Sequence, residues 1–107
     1  MNEVFTGKYW KDGKKIYSKT IDCGALPNAT TKVIAHNIIN LARFIKIEII
    51  STTSNNNTVM LPYVSPSSLT AQVGFSVNAT NIEIRSASDY RTYEFTDCTL
   101  EYTKQTD

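Results

Sequence analysis

Residues Thr6–Asn28 read TGKYWKDGKKIYSKTIDCGALPN. Asp12-Gly13 stands between two runs of strand-forming residues, Gly7–Lys11 and Lys14–Cys23. Such a dipeptide suits a two-residue type I′ turn, whose central positions both need positive φ. That turn would set Lys11 opposite Lys14, Trp10 opposite Lys15, Tyr9 opposite Ile16 and Lys8 opposite Tyr17. Trp10 and Tyr17 then share one face diagonally, and Ile21 and Cys23 continue it toward a core. The other face carries Tyr9, Ile16, Ser18, Thr20 and Asp22. It is polar apart from Tyr9 and Ile16, an unremarkable solvent-side pair or a subunit contact.

Beyond the hairpin, Thr, Ile, Val, Tyr and Phe dominate, and Ile outnumbers Leu about two to one, a strand composition. Gly24–Asn28 reads as a loop and Thr31–His36 as a short strand, with Asn37–Ala42 a turn or single helical turn. In Arg43–Thr53, Ile45, Ile47 and Ile49 alternate against Phe44, Lys46 and Glu48, so the isoleucines are expected inward. Val59–Val64 carries Pro62, which marks an edge. Ser65–Ser68 is a turn. Leu69–Val77 alternates cleanly, with Leu69, Ala71, Val73, Phe75 and Val77 inward. Asn81–Arg85 points Ile82 and Ile84 inward. In Arg91–Lys104 the apolar positions are first odd (Tyr93, Phe95), then even (Cys98, Leu100, Tyr102). A strand changes face only through an extra residue, so a bulge is expected near Thr96-Asp97. About eight strands without a long helix predict a single all-β domain over residues 1–107. Its architecture is an antiparallel β-sandwich with a jelly-roll or Greek-key path.

The formal charge is +1, from 11 basic and 10 acidic residues. Outside Lys8–Lys19, read as a solvated hairpin edge, the basic residues are scattered, so no nucleic-acid footprint is expected. No window approaches the ~18 apolar residues of a membrane span, and no membrane insertion is expected. The N-terminus lacks a charged segment followed by an apolar one, so no signal peptide is read. Three Asn-x-Thr sites, at Asn28, Asn56 and Asn78, are then inert. Cys23 and Cys98 match no metal spacing and make no disulfide framework. Two buried thiols are expected, with a bridge open if the first and last long strands are neighbours.

No catalytic signature stands out. His36, the single histidine, has no G-x-S-x-G segment beside it and lies at the exit of an apolar strand, which suits a hydrogen-bonded structural role. Asp89, Asp97 and Asp107 are isolated, so no metal and no cofactor are expected, and no facing pair of carboxylates suggests a glycosidase. Sugar binding needs less: aromatic faces and Asn, Asp or Arg side chains on loops. Asn55, Asn56 and Asn57 form one such loop. Asp89, Tyr90 and Arg91 form another, and Tyr63 is a further candidate.

Four stretches together resemble a module found at the ends of phage and prophage tail-fibre and other virion surface proteins. They are Thr6–Asn28 itself, KVIAHNI at Lys32–Ile38, LPYV at Leu61–Val64 and TLEYTK at Thr99–Lys104. The resemblance implies an antiparallel β-sandwich, a homotrimer and a place on the virion surface. It also implies adhesion to a host surface glycan, in company with other virion proteins. Tyr9 and Ile16 would then be subunit contacts. The module normally follows a shaft or attachment region, whereas this chain begins almost at the motif. A stand-alone form would favour a head-fibre or capsid-decoration role that binds only other virion proteins.

Overall fold

The computed structural model describes residues 3–64 and 72–106. Among them nine strands form: β1 (Val4–Tyr9), β2 (Lys15–Gly24), β3 (Thr31–Ala35), β4 (Leu41–Thr52), β5 (Thr58–Leu61), β6 (Tyr63–Val64), β7 (Gln72–Val77), β8 (Asn81–Ser86) and β9 (Phe95–Lys104). They build two antiparallel sheets, ordered β1-β2-β9-β4-β5 and β3-β8-β7-β6. Cys23, Ile49, Leu61, Cys98, Leu100 and Tyr102 of the first sheet pack with Val73, Ile82 and Ile84 of the second and with Leu26. The fold is therefore the expected all-β sandwich, with a Greek-key-like path: β9 lies between β2 and β4, and β3 lies beside β8. The stretch expected as one edge strand, Val59–Val64, is divided at Pro62, which follows a cis Leu61–Pro62 bond and has no N–H for a ladder. β5 ends one edge of the first sheet and β6 one edge of the second.

The opening hairpin closes by a different turn from the one expected. The Trp10 amide donates to the Lys14 carbonyl (2.8 Å), and the Gly13 amide donates to the Trp10 carbonyl (2.9 Å). Gly13 has φ +86°. This is a three-residue loop, a type I turn followed by a left-handed residue, so Tyr9 faces Lys15 and not Ile16. A second irregularity follows. Between the pairs Tyr9–Lys15 and Phe5–Tyr17, three residues of β1 oppose Ile16 alone. Gly7 there has φ +83°, and the Thr6 hydroxyl donates to the Ile16 carbonyl at 2.8 Å.

These shifts correct several expectations. Tyr17 and Ile21 pack against the core and Cys23 is buried, as expected. Trp10 does not join the core; it is half-buried, with the Lys11 ammonium 5.5 Å from its ring centroid. Ile16, expected on an open face, is 6% exposed, which leaves little of it to meet another subunit. Tyr9 remains 61% exposed, edge-on to Phe5.

In β4 a bulge between Phe44 and Lys46 makes Ile45 the extra residue. Phe44, expected outward, therefore packs on the core with Ile47 and Ile49, and Ile45 does not join it. In β9 no change of face occurs: Thr96, Cys98, Leu100 and Tyr102 are all buried, and Phe95 is exposed. The extra residue expected near Thr96-Asp97 belongs instead to β2, between Asp22 and Gly24 opposite Thr96. Tyr93 precedes the strand. Val73, Phe75, Val77, Ile82 and Ile84 face inward as expected. Leu69, Ala71 and the Ser65–Ser68 turn lie outside the described residues.

β2 and β9 are neighbours, with Ile21 opposite Cys98, yet Cys23 and Cys98 are free thiols. Burial pushes Cys23 up to about 11 and Cys98 up to about 12, so neither is an activated thiolate. At the far end of β9 the buried Tyr102 hydroxyl donates to Glu3 Oε1, and Lys104 pairs with Glu3 Oε2. Burial raises the Glu3 carboxyl, but the bonds from Lys104 and Tyr102 outweigh it and hold it below its ordinary value.

Two expected outcomes follow from these geometries. Gly13→Ala should cost about 1 kcal/mol, because a Cβ disfavours the left-handed region; a urea midpoint checks it. Because the folded-state value of Glu3 is depressed, its contribution is present above the unfolded value of about 4.3 and lost as pH falls through the lower folded value. Wild type should therefore exceed Glu3→Gln by about 1–2 kcal/mol near neutrality. The difference should shrink as pH falls below the unfolded value and disappear below the lower folded one in urea titrations.

Candidate functional site

The strand registers gather three described loops at one end of the sandwich. Thr52 pairs with both Thr58 and Phe95, and Gly24 pairs with Thr96. The loops 25–30, 53–57 and 87–94 therefore share that end.

In the first candidate loop the Thr53 amide donates to the Asn57 carbonyl (2.9 Å) and the Asn56 amide donates to the Thr53 carbonyl (3.0 Å). This is the same bonding pattern as at Trp10–Lys14, with Asn56 (φ +65°) in the place of Gly13. Asn tolerates the left-handed region better than most residues, so Asn56 serves the turn. Asn55, Asn56 and Asn57 are all exposed.

The second loop is braced. Arg91 forks onto Asp89, Nε to Oδ1 at 2.9 Å and a terminal nitrogen to Oδ2 at 2.8 Å, and the Arg91 amide also donates to Oδ1. These bonds pull Asp89 down to about 2. Tyr90 is half-buried between Tyr63 and Tyr93, with ring centroids 6.1 and 5.9 Å away. Burial, then those two neighbours, raise its hydroxyl above the ordinary value. The loop is laced to the β2–β3 connection. Tyr90 N donates to Pro27 O, Leu26 N to Tyr93 O and Ala29 N to Ser88 O. The buried Ser86 hydroxyl donates to Pro27 O (2.9 Å) and accepts from Ala29 N (3.1 Å). The structure thus brings Asn55–Asn57 and Asp89–Arg91 to one end, but no described hydrogen bond or ring contact joins them.

His36 is buried and fully engaged. Its Nδ1 accepts from the Ile38 amide (3.1 Å), which leaves Nε2 to donate to the Asn78 carbonyl (2.9 Å). Phe44 meets it edge-on at 5.7 Å. Both ring nitrogens hold backbone, which is the structural role expected. Among the described residues no three His, Cys, Asp or Glu side chains gather as metal ligands.

A feature absent from the sequence reading lies on the outer face of the second sheet. Gly74 pairs with Arg85, which also pairs with Thr31. Two adjoining depressions, of about 440 and 330 Å³, are each bounded by Gly74 and Arg85. Gln72, Ala29 and Ala87 line the first; Ser76, Thr31 and Glu83 line the second. The signal available in the sequence is the glycine that interrupts the outward positions of β7.

Ser86→Ala should destabilise by about 1–2 kcal/mol, because it strips a partner from two loop groups. Amide exchange should accelerate at Leu26, Ala29 and Tyr90 before it does in β9.

No family model, no curated protein and no solved structure matches the chain.

Proposed function

We propose that the chain is a virion-surface module of the phage tail-fibre or surface-fibre kind, attaching to a host surface glycan through the loop end of the sandwich. The observation that carries this reading is the bracing of that end. The 87–94 loop is hydrogen-bonded along its length to 25–29 and carries a three-tyrosine cluster. Aromatic faces held in place before binding lose little freedom when a sugar stacks on them. Tyr90, with Tyr63, offers the ring surface. Asn55 and Asn57 offer exposed amides, and Asn56 sets their turn. Asp89 and Arg91 keep unused lone pairs and N–H groups around their mutual fork. The proposed assembly remains a homotrimer, with Tyr9 and the adjacent Phe5 (43% exposed) as contact candidates on β1.

One observation favours a second reading, a head-fibre or capsid-decoration subunit that binds only other virion proteins. On the outer face of the first sheet Ile50 lies opposite Met60, with Phe95 opposite nearby Thr52. These three are 36%, 60% and 58% exposed. An apolar patch of this kind suits a protein partner better than a sugar.

Glycan-array and host-cell binding separate the two. On the attachment reading the chain binds, and Tyr90→Ala weakens binding by about tenfold through lost stacking. Stable incorporation into capsid or tail with no host-surface binding selects the second reading. Light scattering should give a trimer at micromolar concentration, weakened by Tyr9→Lys with Phe5→Ser; a monomer removes the assembly proposal.

A further inference from the structure

Gly74 sits in the interior of β7, where glycine is a poor choice. Nothing in the fold calls for it. Its φ lies outside the left-handed region, and a Cβ built on it would meet no atom within 4 Å. A side chain at position 74 would only fill the floor shared by the two depressions. Arg85, directly across the strand pair, is exposed, and among the described residues no hydrogen bond or ion pair holds its guanidinium. Glycine therefore keeps bare backbone open beside a cation that no described residue holds.

We infer that the Gly74–Arg85 groove is a saccharide subsite that selects a carboxylated sugar, a uronic or sialic acid unit of an acidic glycan. The inference rests on the glycan-binding reading above and supplies the substrate class. The sugar ring lies flat against the backbone at Gly74, an approach that any Cβ would block. Its carboxylate pairs side-on with the Arg85 guanidinium, whose planar fork matches the two oxygens. The charge pattern sets the orientation. Arg85 is the charged side chain of the larger depression, whereas Glu83 lines the smaller one and accepts from Asn78 Nδ2 at 3.2 Å. The carboxylate therefore occupies the half beside Gln72 and Ala87. The sugar hydroxyls extend over Ser76 and Thr31, where the Glu83 carboxylate accepts from them.

The test is a titration of the isotope-labelled chain, followed by amide chemical shifts. The probes are methyl glucuronide, methyl galacturonide and N-acetylneuraminic acid, each beside a neutral analogue. The expected result is that at least one acid binds about tenfold more tightly than its neutral analogue, with shifts centred on Gly74 and Arg85. Arg85→Gln should remove that preference. Gly74→Val should abolish binding while holding or raising the urea midpoint, because valine is the better strand residue, so the loss is not one of folding. Binding by Gly74→Val at wild-type strength overturns the inference, as does the absence of binding by all three acids. If neutral glycans bind, and Tyr90→Ala but not Gly74→Val removes that binding, the attachment reading stands and this one falls. If no saccharide or host surface binds the wild type, both fall.

Discussion

Between Thr96 and Tyr102, β9 is paired on both sides, so every other part of the first sheet takes its position from this strand. Cys98 lies between Ile21 and Ile49, Leu100 between Lys19 and Ile47, and Tyr102 between Tyr17 and Phe44. The inward side chains of β9 are almost entirely removed from water and face the second sheet. Polar bonds close both ends of this apolar row. At one end the buried Thr96 and Ser51 hydroxyls bond at 2.7 Å, and at the other Tyr102 reaches Glu3. Such pairings join residues far apart in sequence. The chain must close long loops before β9 rewards it, which places the fold among the slower, non-local topologies.

Because β9 carries no extra residue in either ladder, the irregularities of those ladders fall on the strands it pairs with. β2 has an extra residue at Cys23 and β4 at Ala42 and Ile45; β1, away from β9, is bulged against β2. This decides which parts of the fold were legible in the sequence. Alternation placed Val73, Phe75, Ile82 and Ile84 correctly, because β7 and β8 pair without a shift. It misplaced Phe44 and Ile45 because the alternation of Arg43–Thr53 gave no sign of the extra residue, and Phe95 because periodicity reveals an extra residue in a ladder without revealing which strand carries it. At the first hairpin Asp12-Gly13 announced a turn, but two-residue and three-residue loops both accept a left-handed glycine. The difference of one residue changed the partners of Tyr9 and Ile16.

The candidate site was legible to a different degree. Residue type found the loops that carry exposed Asn, Asp, Tyr and Arg, and their shared end follows from strand register. Sequence could not show that Asn56 is held by its backbone or that Asp89 and Arg91 bind each other. Both facts depend on local geometry within a few residues. The Gly74–Arg85 pair was invisible for a plainer reason. Its members are eleven residues apart, and they meet only because β7 and β8 form a hairpin in that register.

The basic residues, scattered in sequence, divide in space according to what holds them. Lys14 donates to the carbonyls of Lys104 and Gln105, Lys19 to those of His36 and Asn37, and Lys32 to that of Ala25. Each ammonium supplies a donor to a backbone carbonyl at or beyond a strand end, where the ladder offers none. Lys14 and Lys19 thus tie the hairpin stretch to the rest of the chain, a task beyond guarding a solvated edge. Lys104 pairs with Glu3 over the Tyr17 ring, and Arg91 is forked onto Asp89. A cation already bonded to backbone or carboxylate must give up that bond to meet a ligand, and the exchange returns little free energy. Recognition by charge therefore falls to cations that no described residue holds beside a concavity. That criterion, more than the count of basic residues, directs attention from the lysine-rich hairpin to Arg85.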